Sequence, residues 1–432
     1  MANHTIAILT TICQSLPIGT NLAMLHFLWM LVSGALLPNR GAIIPGLKSI
    51  GLSNAETLRA WAAFGSGVWN INEMCSALGD YVRKLPEWQE RRYEGYRPIS
   101  VDITAYWRLT LKGCPGIHFH PAAQRALPAI NIGLIGEVGE LNGQRLALLR
   151  KIERANGKDV TEPFLWETLL PRAAKELKSG DVAVMDAGVK IAAVQKAGII
   201  PYVLKQAQNA TARRNCLPKH VRGRKPEYGQ IVRPLGRTRK GKKALPANAP
   251  DEICTIKKDG REIQVEIWRD LVRTDQKPSE DNLTFDIYVF HNPKYKKPWV
   301  LATSLKLNAE SVYQIYSDRW PIEKVPLSSK QMLGAHRQFV YNPEAVQRLP
   351  EITLLAGAIT SILAASFPPV PTGFWDKNPK RTPGRFRRQL MGMPFPSSAV
   401  LPRRFREKNS STAHFLKGKL GPTQKPAQKA AS

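Results

Sequence analysis

The stretch on which the fold prediction rests lies late in the chain. Residues 316–330 read Tyr-Ser-Asp-Arg-Trp-Pro-Ile-Glu-Lys-Val-Pro-Leu-Ser-Ser-Lys. Residues 308–322 repeat apolar side chains at steps of three and four, which predicts one helix with Tyr316, Arg319 and Glu323 along neighbouring strips. Arginine and glutamate one turn apart also form ordinary helical ion pairs, worth roughly 0.2–0.5 kcal/mol. The pair alone therefore indicates no particular chemistry.

The complete spacing is more specific. Tyrosine, two residues, arginine, three residues, glutamate, six residues and Lys330 resembles the signature of a large group of DDE transposases, the insertion-sequence enzymes with a Tyr–Arg–Glu–Lys motif. Trp320 also fits the usual flanks of that motif. The resemblance implies that Glu323 is the last of three metal-binding acids. It further implies that Tyr316, Arg319 and Lys330 contact DNA phosphates, with Trp320 near an unstacked base or simply in the core.

A proline interrupts the second half of this motif. Pro326 lies three residues after Glu323. Proline inside a helix removes an amide donor and costs about 3 kcal/mol if the helix continues. We therefore expect the helix to end or kink at Val325, or the second half of the motif to be placed differently. This affects the position of Lys330 more than that of Glu323.

Two aspartates upstream are the candidates for the other acids. Asp102 lies within an alternating, β-branched run at 98–104, where aspartate is disfavoured in a strand. Asp186 ends a short apolar run at 181–188. An acid on a strand beside the core requires a metal or a cationic partner, although a structural cap or a surface charge is the plain alternative for each. The two aspartates are 84 residues apart.

The order of predicted elements is three strands, helix, strand, helix and strand. Their bounds are 98–104, 127–138, 145–151 after the turn Asn142-Gly143, 161–177, 181–188, 189–197 and 199–205. This order resembles the ribonuclease H-like fold of DDE transposases and retroviral-type integrases, in which the first acid lies on the first strand and the second ends the fourth. The predicted class is α/β: a ribonuclease H-like mixed sheet with flanking helices, interrupted by a β-rich insertion, with an N-terminal helical region.

Charge points to nucleic acid. The 432 residues include 63 Lys and Arg against 34 Asp and Glu, a net charge of +29. Such a balance favours a polyanionic partner, but a ribosomal or chromatin protein shares it.

The five cysteines are scattered without a CxxC pair, which disfavours a disulfide framework or a structural zinc site and favours a reducing cytoplasm. The apolar run 22–37 is shorter than the ~20 residues of a membrane span, so a buried helix and no membrane partner are expected.

Five regions are predicted along the chain. Residues 205–243 hold 13 Lys and Arg against one acid, Glu227, which predicts contact with the DNA backbone or, alternatively, a solvated basic loop. The capping signal Ser53–Glu56 predicts a helix in the first region, whose alternative is a plain helical bundle. The regions are 1–95, helical and DNA-binding; 96–205, first part of the catalytic core; 206–306, basic β-rich insertion; 307–367, last part of the core; and 368–432, a basic and largely disordered tail.

The resemblance implies a metal-dependent reaction on DNA. Two Mg²⁺ ions about 4 Å apart, or Mn²⁺ as a substitute, activate a water and stabilise the leaving oxygen. We therefore expect Asp102, Asp186 and Glu323 to converge. The expected function is a transposase, a homodimer on paired element ends, that cuts the ends and joins the freed 3′ hydroxyls to target DNA. The expected location is the bacterial cytoplasm, with the nucleoid. A catalytically inactive nucleic-acid-binding descendant and a host nuclease of the same fold are the alternatives.

Overall fold

The computed structural model describes residues 1–158, 160–220, 223–239, 242–397 and 400–407. Within those residues the chain is mixed α/β, with a mixed sheet of 13 strands and a separate two-stranded ladder. The chain groups into two compact units, each built from segments that are distant in sequence. Unit 1 comprises Met1–Glu90, Ile103–Val160 and Pro321–Ser432, and unit 2 comprises Arg91–Asp102 and Thr161–Trp320.

Unit 1 is mostly helical. Its helices are α1 (Ala2–Cys13), α2 (Thr20–Val32), α3 (Ile43–Ser49), α4 (Asn54–Ser66), α5 (Ile71–Arg83), α9 (Trp320–Leu327, whose first residue belongs to unit 2), α10 (Pro343–Ser366), α11 (Pro383–Leu390) and α12 (Arg403–Arg406). The predicted capping box is confirmed: the Ser53 hydroxyl accepts from the Glu56 amide at 3.3 Å, and the Glu56 carboxylate accepts from the Ser53 amide at 2.9 Å.

Helix α10 is the central helix of this unit. Among the described residues it is the one helix long and apolar enough to cross a bilayer, but 89% of its most apolar window is buried within the protein. Its apolar side chains join those of α1, α2, α4 and α5 in one core. Helix α10 therefore has the burial of a core helix, and α2 is buried along nearly all of its length, as predicted for the run 22–37.

The strands of unit 1 pack beneath these helices. They are β1 (Trp88–Glu90), the later part of β2 (Arg97–Trp107), β3 (Ile117–His120), β4 (Arg125–Leu141) and β5 (Gln144–Arg154). Strand β4 pairs with β5 in the predicted antiparallel hairpin. Asn142 and Gly143 both have positive φ, 50° and 74°, which matches the right-handed twist of a tight hairpin turn.

The predicted tail is ordered in part. Helix α11 packs against α10, with Phe386 and Leu390 buried, and Phe405 of α12 is buried as well. The expectation of disorder is therefore wrong for these segments, because apolar side chains at helical spacing bury against unit 1 despite the basic composition. Residues 408–432 of the predicted tail lie outside the described residues.

Unit 2 is mostly sheet. Its elements are the first part of β2, α6 (Glu162–Glu176), β6 (Asp181–Met185), α7 (Ile191–Lys196), β7 (Tyr202–Gln206), β8 (Ala212–Arg214), β9 (Ile231–Val232), β10 (Arg237–Arg239), β11 (Lys242–Leu245), β12 (Glu252–Lys258), β13 (Arg261–Val272), β14 (Phe285–His291), β15 (Trp299–Thr303) and α8 (Ala309–Ser317). The predicted β-rich character of the insertion is confirmed, and its longest strands are β12–β15. They extend the sheet from β7 in the order β15, β14, β13, with antiparallel pairing.

Strands β2 and β6 are parallel, and their register is defined by an ion pair. Arg97 is the register partner of Asp181, and its Nε and Nη2 donate to one carboxylate oxygen of Asp181 at 2.8 and 2.6 Å. Ser100 is the partner of Val184. Every partner pair is thus offset by 84 residues, the separation of Asp102 from Asp186. Strand β7 continues the parallel arrangement beside β6.

The predicted helix 308–322 is interrupted. Helix α8 ends at Ser317, and α9 begins at Trp320. Between them, the buried Asp318 accepts hydrogen bonds from Nε of Arg91 and from Oη of Tyr93, both at 2.8 Å. The single-helix prediction is wrong because this acid is held by residues much earlier in the chain, which periodicity does not report.

Helix α9 does not end at Val325, which was one of the outcomes expected from Pro326. It runs to Leu327 with Pro326 in its last turn, and a π-helical turn, Ser328–Met332, follows. The Leu333 amide donates to the Ser328 carbonyl at 3.0 Å, five residues back, which is the wider π-type spacing. Gly357 of α10 packs here, since a Cβ at Gly357 would lie 2.9 Å from the Val325 carbonyl oxygen.

Candidate functional site

The parallel register brings two predicted acids side by side. Asp102 lies in β2, and Asp186 directly follows β6. Because the neighbouring pair Ser100 and Val184 is in register, Asp102 and Asp186 occupy equivalent positions two residues further along. Equivalent positions of parallel strands face the same side of a sheet. The two carboxylates therefore share one face, with Asp102 in the middle of β2 and Asp186 just after the end of β6.

Arg319 joins these two carboxylates. Its Nη1 lies 3.8 Å from Oδ2 of Asp102, and its Nη2 lies 3.3 Å from Oδ2 of Asp186. The Arg319 side chain is 2% exposed, whereas those of Asp102 and Asp186 are 24% and 33% exposed. A buried guanidinium thus bridges two acids that reach solvent, and the reach of one guanidinium group limits the distance between them.

Asp186 is contacted by several donors in the cluster. Its Oδ1 accepts from the Tyr316 hydroxyl at 3.0 Å and from the Ala187 amide at 2.7 Å, and it lies 3.2 Å from Nζ of Lys205. Burial favours the neutral form of this carboxyl, but Arg319, the Ala187 amide and Lys205 together outweigh it and lower the pKa of Asp186. Asp186 is therefore ionised at neutral pH.

Tyr316 is a buried hydrogen-bond donor. Its ring is 1% exposed, contacts Trp299 edge-on with centroids 5.1 Å apart, and lies 5.6 Å from the Arg319 guanidinium carbon. Burial raises the pKa of Tyr316 well above its ordinary value; Arg319 opposes this rise, and the charge of Asp186 adds to it. The hydroxyl keeps its proton, and in this structure it orients Asp186.

Trp320 lies at the solvent boundary of the same cluster. Its side chain is 47% exposed, and the Arg319 guanidinium carbon lies 5.4 Å from its ring centroid. This distance is within the range of a cation–π contact. An exposed indole beside a buried arginine is available to a ligand, and the core position considered for Trp320 is not observed.

Glu323 and Lys330 lie in unit 1. Glu323 is half-buried in the first turn of α9. Nζ of Lys330, in the π-helical turn, donates to the Thr104 hydroxyl at 2.7 Å and lies 4.8 Å from the ring centroid of Tyr106. The Tyr106 hydroxyl in turn contacts Oγ of Ser329 at 2.7 Å. The later part of β2 thus holds the turn that carries Lys330.

The donor chemistry of the cluster suits a divalent cation. No group of three or more His, Cys, Asp or Glu side chains in the described part of the chain is arranged to hold a metal ion. Asp102 and Asp186 nevertheless offer carboxylate oxygens, which Mg²⁺ prefers, and both already face one cation, the guanidinium of Arg319. The pair fits a metal whose remaining ligands are waters or a further acid.

Sequence reasoning missed Lys205 as part of this site. Met185 of β6 is the register partner of Leu204 in β7, so Asp186 and Lys205 are next to each other in the parallel register. The signal was present, because the strand 199–205 was predicted and ends at this lysine. A cavity of about 400 Å³ opens beside it, with Lys190, Lys205 and Arg273 among its lining. Asp275 also lines it and pairs with Arg273 at 3.1 Å, so the lining carries three cations against one acid, a balance that suits an anionic group.

Gly188 is required where the chain leaves the site. Its φ is +119°, and a Cβ there would lie 2.5 Å from Oε1 of Glu162. Only glycine fits such a backbone beside a carboxylate.

No protein-family model matches this chain, and no curated protein matches it.

Proposed function

We propose that this chain is a DDE-type transposase with a ribonuclease H-like core. It binds the ends of an insertion element, cuts phosphodiester bonds with two divalent ions and joins the freed 3′ ends to target DNA. One observation carries the proposal: Asp102 in β2 and Asp186, directly after the parallel strand β6, pair with Arg319 of the Tyr–Arg–Glu–Lys spacing at 3.8 and 3.3 Å.

Strand order supports the choice of fold. In unit 1, β5 pairs with β4, and β4 neighbours β2; in unit 2, β2, β6 and β7 follow one another in parallel. Along the chain these are the third, second, first, fourth and fifth strands of the predicted core. A ribonuclease H-like sheet has this order, with the acids on its first and fourth strands.

The residues of the site have separate tasks in this proposal. Asp102 and Asp186, with Glu323 as the third acid, would hold Mg²⁺ or Mn²⁺, which when bound supplies an activated water and stabilises the leaving oxygen. Tyr316 and Lys205 keep Asp186 oriented and ionised. A metal would bring positive charge to the carboxylates of this cluster, and a DNA phosphate would bring negative charge to Arg319. Arg319 can therefore exchange a carboxylate for a DNA phosphate without losing an ionic partner.

DNA is the proposed partner on grounds of charge. The net charge is +29, and cations line the cavity beside Lys205. Binding through many phosphates releases counterions, so affinity falls steeply with salt. We propose that paired ends are held by a homodimer in the bacterial cytoplasm. A flat salt response of duplex binding would count against the basic surfaces as DNA contacts.

The decisive experiment uses DNA flanking the gene. A supercoiled plasmid carrying both flanks is incubated with the full chain and Mg²⁺, and nicked, excised and joined products are resolved. Asp102→Asn, Asp186→Asn and Glu323→Gln should each reduce cleavage and joining to the metal-free level. Asp281→Asn, at an exposed loop acid of unit 2, is the matched control and should retain activity. Full activity in either aspartate variant would overturn the proposal.

Metal binding has its own readout. Electron paramagnetic resonance of Mn²⁺ measures the free ion without any reaction, and Asp186→Asn should leave more Mn²⁺ free than Asp281→Asn does. Cleavage without joining would favour a host nuclease. DNA binding with no metal-dependent cleavage would favour a nonenzymatic DNA-binding protein, the candidate that the charge by itself also supports.

A further inference from the structure

A second cavity lies in unit 1, and all of its lining residues belong to that unit. Its volume is about 410 Å³, within the roughly 300–1,000 Å³ range of pockets that hold small organic ligands. Its walls come from the start of β5, helix α9, the π-helical turn, the end of α10 and residues 381–384. These five segments together enclose it, so its shape depends on the tertiary fold and on no single loop.

The lining combines apolar walls with positive charge. Leu146, Val325, Leu327 and Met332 are among the apolar side chains. Three cations stand among the described lining residues, and no aspartate or glutamate does; the cations are Arg145, Lys324 and Arg381. A molecule that fills this cavity therefore needs an apolar body, and it gains further stabilisation from a negative charge.

The positions of the cations favour one anionic group. The Arg381 side chain is held by carbonyl oxygens, with Nε donating to Phe367 at 2.9 Å and Nη1 to Asn142 at 3.4 Å. Arg145 and Lys324 also line the cavity, so an anion bound there would have three cations around it. A fixed guanidinium presents donors in the planar geometry that suits a carboxylate.

We propose that this cavity is a binding site for a small apolar molecule that ends in a single carboxylate. A phosphate backbone fits poorly, because repeated charges would face Leu146, Val325 and Leu327. A neutral apolar molecule would gain no electrostatic attraction from the three cations of the lining. The occupied site touches α9 and the π-helical turn, the segments that carry Glu323 and Lys330. Any effect on DNA cleavage rests on the proposed function, whereas binding does not.

Calorimetric titration of the full chain with decanoate, below its micelle concentration, tests the proposal. We expect saturable binding of one decanoate per chain and a raised melting temperature. Decanol and decylamine, which share the apolar body but lack the negative charge, should bind at least about tenfold more weakly. Equal affinity for decanoate and decanol would overturn the assignment of a carboxylate.

Two variants locate the site. Leu327→Trp fills the cavity and Lys324→Gln removes one cation, and each should weaken decanoate binding by about tenfold or more. The matched controls are Leu58→Trp and Lys48→Gln, at exposed positions of unit 1 that do not line the cavity, and they should bind as the unchanged protein does. Equal losses in variants and controls would show nonspecific attraction to a basic surface and would overturn the proposal.

Discussion

Replacing Arg319 by alanine tests whether the paired acids depend on one guanidinium. Its nitrogens lie 3.8 Å from Asp102 and 3.3 Å from Asp186. Two unit charges about 4 Å apart attract by roughly 4 kcal/mol at an effective dielectric constant near 20, before desolvation. Desolvation of Arg319, which is 2% exposed, offsets much of this, and solvent screens acids that are 24% and 33% exposed.

We therefore expect Arg319→Ala to lower the free energy of unfolding by about 2–3 kcal/mol at pH 7, between the values for exposed and fully buried pairs. The variant leaves two neighbouring carboxylates without their shared counter-ion. Arg319→Lys keeps the charge but loses the fork, so its loss should be smaller. Urea unfolding followed by circular dichroism measures both. A loss below about 0.5 kcal/mol would refute the reasoning, because surface substitutions alone reach that size.

The pH dependence of this loss has a defined sign. The pKa of Asp186 is lowered in the folded protein, so its contribution to stability is present above the unfolded pKa of about 3.9 and is lost as pH falls through the folded pKa. In Arg319→Ala this pKa rises, and the difference between the two proteins should shrink below about pH 4. Mg²⁺ should stabilise the variant more than the unchanged protein. An equal difference at pH 7 and pH 3 would contradict the expected pH dependence, and equal stabilisation of the two proteins by Mg²⁺ would contradict the expected metal effect.

Three further substitutions test the framework around the site by urea unfolding. Gly188→Ala adds a Cβ at φ +119° against Glu162 and should cost about 1–3 kcal/mol. Asp318→Asn removes the charge that pairs with Arg91 at 2.8 Å, and since Arg91 is 25% exposed the loss should be about 2–3 kcal/mol. Ser53→Ala removes the capping box of α4 and should cost about 1 kcal/mol.

Matched changes show whether these losses are specific. Gly65→Ala lies in helix α4 with open space around its Cβ and should stabilise by about 0.4–1 kcal/mol, the reverse of Gly188→Ala. Asp281→Asn, in an exposed loop, should change stability by less than about 0.5 kcal/mol. If Gly188→Ala were neutral, the backbone described at that position would be wrong. If Asp318→Asn matched Asp281→Asn, the helix break would not depend on Asp318.

Local signals in the sequence were sufficient for most core elements. Alternation and β-branching predicted the strand at 98–104, and Asn142-Gly143 predicted its hairpin, because each signal acts between chain neighbours. The constant offset of 84 residues is a stronger case. This offset is present in the sequence as the spacing of Asp102 and Asp186. Its meaning, that the two acids come from strands paired in parallel, follows only from the register of β2 and β6.

The features that were missed depend on distant residues. The break at Asp318 is invisible to periodicity, because the acid is held by Arg91 and Tyr93, more than two hundred residues earlier. The role of Lys205 follows from strand adjacency and not from any motif. Composition predicted disorder after residue 367, but a few buried apolar side chains, including Phe386, were enough to order short helices against α10.

The break between α8 and α9 has a consequence for how this chain tolerates change. Tyr316 contacts Asp186 from the end of one helix, and Arg319 contacts it from just before the next. The number of residues between them is therefore governed by the anchorage of Asp318 and not by helical pitch. A single residue inserted at this point could leave both helices folded and still turn the Arg319 guanidinium away from the acids. Insertions here should therefore abolish the cluster, whereas insertions of the same length in exposed loops should leave it intact.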